Sequence, residues 1–117
     1  MKKIYYLGSC DKCRKILRIL EQESIKLDKQ DIKTHSISEE QLDQMKSISG
    51  SYESLFSKSA RKFKTIENKE KLNEDDFKKM ILSEYTFLKR PVIISGDSIF
   101  IGVNPNNMDE VKEYLRK

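Results

Sequence analysis

The chain has 117 residues, two cysteines, no tryptophan, a net charge of +4 and 36% charged residues. That length suffices for one hydrophobic core without cross-links, and two cysteines cannot form a secreted disulfide framework. Charges of both signs are interleaved, and the densest basic stretch runs only from Lys58 to Lys64, so composition predicts a mixed solvated surface with no direct nucleic-acid binding.

Only four apolar residues, Ile4-Tyr5-Tyr6-Leu7, follow Lys2 and Lys3. This is far short of a signal peptide, and no later run reaches membrane-spanning length. A cytoplasmic monomer without membrane contact is expected. Residues Lys3 to Leu7 read as a strand buried on both faces at the centre of a sheet. Gly8 gives the next turn its freedom, Ser9 offers a hydroxyl cap, and a helix runs from about Cys10 to Gln22. Cys13, Ile16, Leu17 and Leu20 form its inward face.

The strand-to-helix junction carries both thiols, Cys10 and Cys13, in a C-x-x-C spacing. The first N–H groups of a helix lack intrahelical partners and the dipole there is positive, so a thiolate at Cys10 is favoured. A free cysteine titrates near about 8.5, and helix N-termini with basic neighbours lower this to between roughly 3.5 and 7.5. Lys12 and Arg14 are expected to push the same way and Asp11 weakly against them. Cys13, one turn on and facing inward, is the less accessible partner suited to resolving a mixed disulfide. A zinc site needs four ligands, and the chain offers only Cys10, Cys13 and the lone His35, which reads as a solvated loop residue.

Ile25 to Ile32 reads as a second strand, parallel to the first and near an edge, where water tolerates Asp28-Lys29-Gln30-Asp31. Ser38-Glu39-Glu40-Gln41 is a capping box with Ile37 placed to staple onto Leu42, so a helix starts at Ser38 and ends near Ser47 to Gly50. Tyr52 to Ile66 reads as a short helix and a loop. Asn73 caps a further helix, with Leu72 opposite Phe77 and an apolar face through Met80, Ile81 and Tyr85. Pro91-Val92-Ile93-Ile94, a Gly96-Asp97 turn and Ser98-Ile99-Phe100-Ile101 make a β-hairpin. Met108, Val111 and Leu115 mark a closing helix capped by Asn106 or Asn107. The order implies one α/β domain over 1–117, in which a helical insertion at about 38–88 separates a βαβ half from a ββα half.

Three stretches carry a family resemblance: Ser9-Cys10-Asp11-Lys12-Cys13-Arg14-Lys15, Phe87-Leu88-Lys89-Arg90-Pro91-Val92-Ile93 and Ile101-Gly102-Val103-Asn104-Pro105. Together they resemble the arsenate reductase (ArsC)-like family, which includes the Spx-type regulators. The resemblance implies a thioredoxin-like, or glutaredoxin-like, fold with a mixed four-stranded sheet. It also implies that Cys10 is the nucleophile, that Arg90 binds anions and stabilises the thiolate, and that Pro91 is cis. Ser9 and Arg14 would support the site.

Arsenate reductases of this family use two further arginines. This chain has Ser57 near the first position, with Lys58 or Arg61 as substitutes, and Gly102 and Val103 at the second. A trivalent oxyanion would lose much of its clamp, so the expected enzyme is a thiol-disulfide or oxyanion reductase other than an efficient arsenate reductase. Cys10 would attack, Cys13 would close an intramolecular disulfide, and no bound cofactor would be needed. An external reductant, such as glutathione or a thioredoxin or glutaredoxin system, would restore the thiols. The alternative is an Spx-like redox sensor that binds the α subunit of RNA polymerase, with Gly50 either part of that surface or simply a helix C-cap. A third reading leaves both thiols reduced and inert.

Overall fold

A computed structural model describes residues 1–117. The chain resolves into two compact units, residues 1–35 with 90–117, and residues 36–89.

The first unit contains β1 (Lys2–Tyr6), α1 (Asp11–Gln22) and β2 (Asp28–Asp31), then β3 (Val92–Ser95), β4 (Ser98–Ile101) and a closing helix, Asp109–Arg116. The four strands lie in the order β2-β1-β3-β4. β1 runs parallel to β2 and antiparallel to β3, and β3 pairs antiparallel with β4. This is the mixed thioredoxin-like sheet anticipated above. Position in the sheet follows composition: Ile4, Tyr5, Val92, Ile93 and Ile94 are buried on the two central strands, whereas the charged β2 lies at an edge. Ile4 and Ile93 stand opposite each other in the register. They share one core with Ile16 and Leu20 of α1 and with Met108, Val111 and Leu115 at the closing helix. A two-residue turn joins β3 to β4, with Gly96 at φ 59, the left-handed conformation that glycine adopts without steric cost.

The second unit contains α2 (Glu39–Ser49) and α3 (Glu74–Ser83), so the closing helix of the first unit is α4. Both helices begin with complete capping boxes, Ser38 with Gln41 and Asn73 with Asp76. Gly50 ends α2 at φ 99, with its N–H donating to the Lys46 carbonyl, which is the ordinary left-handed C-cap. Tyr52 to Ile66 holds two 3-10 turns, Glu53–Leu55 and Arg61–Thr65, in place of one short helix. Phe56 lies between them, with its ring 5.3, 4.9 and 5.0 Å from those of Phe63, Phe77 and Phe87. It is held by a short antiparallel bridge to Leu88, flanked by Ser57 N–H to Phe87 at 2.7 Å and Lys89 N–H to Leu55 at 2.8 Å. Two residues some thirty positions apart make that bridge, which no local pattern announces.

Two expected caps are absent. α1 has Cys10 as its N-cap, so the Ser9 hydroxyl caps nothing and is exposed. α4 has Met108 at its N-cap without a side-chain hydrogen bond, and both asparagines lie in the Pro105–Asn107 3-10 turn that precedes it. The contrast between the serines is testable by urea unfolding. Ser38→Ala should lose about 1 kcal/mol, while Ser9→Ala should leave the midpoint unchanged; an equal loss from both would mean that Ser9 does cap α1.

Candidate active site

β1 leads through Leu7, Gly8 and Ser9 to the first turn of α1. The Cys10 N–H closes that turn by donating to the Leu7 carbonyl at 3.0 Å, and the Arg14 N–H donates to the Cys10 carbonyl at 3.0 Å. Because the helix starts one residue later than Ser9 would have set it, the Cys10 sulfur stands where a capping oxygen normally does. No cap hydrogen bond of full geometry closes on the neutral thiol. The anion is nonetheless favoured: partial burial raises the Cys10 pKa, but the Cys13 N–H, the Cys13 thiol, the Lys12 N–H and the Arg90 charge together bring it below the ordinary thiol value.

Cys13 behaves oppositely. It is fully buried, and burial pushes its pKa up to about 11 against a lowering influence from the Leu7 backbone. The negative charge and thiol of Cys10 add to the rise, and Arg90 works against it. Both cysteines are free. Arg90 is half-buried, its peptide bond to Pro91 is cis, and its charge acts on both thiols. A residue about eighty positions from the dithiol thus reaches the same site.

The other expected supports are placed differently. Arg14 is exposed and paired with Asp11, and the Arg90 charge is the one that lowers the Cys10 pKa alongside the helix amides. Lys12 acts through its backbone N–H rather than its ammonium group. Gly8 does not adopt a left-handed φ; it lies against the Asp31 carboxylate, to which its N–H donates at 3.3 Å. Asp31 is the neighbour of this site that sequence reasoning passed over, having read it only as charge on an edge strand. His35 is exposed in the loop after β2, beside the Thr34 hydroxyl. No three His, Cys, Asp or Glu side chains gather as a metal-holding group, and no helix is long and apolar enough to cross a membrane.

At the two positions where arginines were expected to be missing, Ser57 bonds through its N–H to Phe87. Gly102 is left-handed, at φ 64, with its N–H donating 2.8 Å to the Pro91 carbonyl.

Comparison with known proteins agrees with this architecture. The model of the ArsC family matches residues 5–111. The chain is 28% identical over 121 residues to the global transcriptional regulator Spx 2 of Bacillus anthracis, covering 98% of this chain and 87% of that protein. It is 26% identical over 110 residues to the uncharacterized protein YusI of Bacillus subtilis (strain 168), covering 91% and 93%. The solved arsenate reductase from Vibrio cholerae superposes with a TM-score of 0.81 at 19% identity, covering 94% of this chain and 96% of that one.

The opposed thiols predict selective labelling. With iodoacetamide at neutral pH, peptide mass spectrometry should find Cys10 modified first and Cys13 modified only once the protein is unfolded. Raising the pH should speed Cys10 labelling with a midpoint below that of an ordinary free thiol; equal labelling of both cysteines would contradict the burial that separates them.

Proposed function

The chain belongs to the ArsC family, and from that membership we propose that it is a thiol-based oxidoreductase in which Cys10 attacks and Cys13 resolves. The observation that carries this reading is the pairing of a half-exposed thiol of lowered pKa with a fully buried one of raised pKa. The accessible sulfur ionises more readily than an ordinary thiol, and the hidden one holds its proton more tightly.

The chemistry balances for a disulfide substrate. The Cys10 thiolate attacks one sulfur, a Cys10–substrate disulfide forms, and the other half leaves as a thiolate. Cys13 then gives up its proton and attacks the Cys10 sulfur. The Cys10–Cys13 disulfide closes, the second substrate thiolate departs, and two electrons have passed to the substrate. Part of what holds the Cys13 proton is the Cys10 charge, and that charge disappears when the mixed disulfide forms, so resolution becomes easier only after attack. An external thiol, small or protein-borne, returns the dithiol state.

Arg90 contributes a permanent positive charge. Its influence on Cys10 supports a role in steadying the thiolate, and its forked donors suit an anionic substrate group.

The relationship to Spx 2 favours a second reading, in which the same disulfide alters a binding surface for RNA polymerase. Purified protein, reduced or oxidised, incubated with RNA polymerase distinguishes the two: redox-dependent capture without turnover of disulfides selects the regulator.

Two variants test the enzymatic reading. Cys13→Ser should accumulate a mixed disulfide at Cys10 when treated with a small disulfide, seen as a mass increase that the wild type resolves. Arg90→Ala should move the Cys10 alkylation midpoint upward; a titration identical to the wild type removes Arg90 from the site.

A further inference from the structure

We propose that Asp31 is a positioning residue for the Cys10 nucleophile, acting through the N–H of Gly8. This rests on the reading of Cys10 as the attacking thiol. In the parallel pairing of β1 with β2, Tyr6 stands beside Asp31, so the last residue of β2 lies next to the point where β1 gives way to the dithiol turn. The Asp31 carboxylate divides its two oxygens. Oδ1 accepts the Lys33 N–H at 3.0 Å and shapes the loop after β2, while Oδ2 accepts the Gly8 N–H at 3.3 Å.

The identity of residue 8 is a second, independent sign. A Cβ at Gly8 would stand 2.7 Å from Asp31 Oδ2, closer than such contacts occur, while the φ of Gly8 is not left-handed. Close approach to the carboxylate, rather than a special backbone conformation, accounts for the glycine. From there the chain has little slack. Only Ser9 separates Gly8 from Cys10, and the Cys10 N–H is tied back to Leu7 at 3.0 Å. Holding Gly8 therefore fixes where the Cys10 sulfur sits relative to the N–H groups of Lys12 and Cys13, which favour its anion.

Positioning and direct charge predict opposite signs. A carboxylate acting on Cys10 through its field would disfavour the thiolate, so its removal would lower the thiol pKa. A carboxylate that aligns the turn favours the thiolate indirectly, and its removal raises the pKa.

The test is the pH dependence of Cys10 alkylation by iodoacetamide in full-length wild type, Asp31→Asn, Gly8→Ala and the double variant, with circular dichroism and thermal midpoints as controls. Asp31→Asn keeps an acceptor for Lys33 but turns an amide donor toward Gly8. Gly8→Ala displaces the carboxylate while leaving its charge, and it keeps the test decisive if the aspartate variant does not fold. Each single variant should raise the Cys10 midpoint and slow labelling at neutral pH by about three-fold or more, and the double variant should add nothing further, since both changes break one contact. A midpoint that falls or stays fixed in the folded single variants, or shifts that add in the double, overturns the proposal and leaves the nucleophile reading intact. An ordinary thiol midpoint in the wild type overturns both.

Discussion

The unpaired N–H groups at the start of α1 are the constraint on which the site depends. A helix leaves its first amides without partners, and most helices satisfy them with an oxygen. Here the N-cap position belongs to Cys10, so sulfur takes that place and the amides of Lys12 and Cys13 favour its ionised form. Everything that determines where α1 starts consequently determines how acidic Cys10 is. β1 lies between β2 and β3 in the sheet, and its exit turn is tied at Leu7 and Gly8. Ile16 and Leu20 anchor the helix in the core.

The difference between the thiols is then a balance of solvent against helix amides. Cys10 and Cys13 are one helical turn apart and both feel Arg90, yet burial dominates at the fully buried Cys13, whereas at the partly buried Cys10 the Cys13 and Lys12 N–H groups and the Cys13 thiol, with Arg90, outweigh it. Desolvation penalises the charged form, so the inner thiol keeps its proton under conditions in which the outer one has lost it. The same burial that shields Cys13 from solvent leaves its thiol beside that of Cys10. That asymmetry gives the proposed reaction its order.

Features built from adjacent residues were legible in the sequence. Both capping boxes, the hairpin with its glycine turn, the charged edge strand and the inward face of α1 follow from patterns a few residues long. The dithiol and Arg90 were legible through spacing and resemblance together. Hidden from both were interactions between distant residues, and competition among near ones. Phe56 organises its unit through rings up to thirty-one positions away. Arg14 looked like a support for the thiolate, but Asp11 three residues earlier was the closer anion. Gly8 looked like a hinge and proved to be a gap left for Asp31. Ser9 and the two asparagines were plausible caps by type, but the helices begin one residue beyond Ser9 and after the 3-10 turn that contains both asparagines. Cap preference identifies candidates, whereas tertiary packing chooses the first helical residue.

Family membership fixes the scaffold more firmly than the substrate, because function lies in the particular groups a fold presents. The segment between β4 and α4 illustrates this. Gly102 occupies a left-handed conformation and ties its N–H to Pro91, and a side chain of any kind there would incur roughly 1–2 kcal/mol of backbone strain. Val103 packs partly against the core shared by α1 and α4. An arginine at the first position would be strained and one at the second would displace apolar packing, so this stretch closes the fold around Pro91. Under the proposed function, Arg90 as the cation acting on the dithiol would suit substrates carrying modest negative charge better than a multiply charged oxyanion. A disulfide, whose departing thiolate develops only a single charge, makes the smaller electrostatic demand.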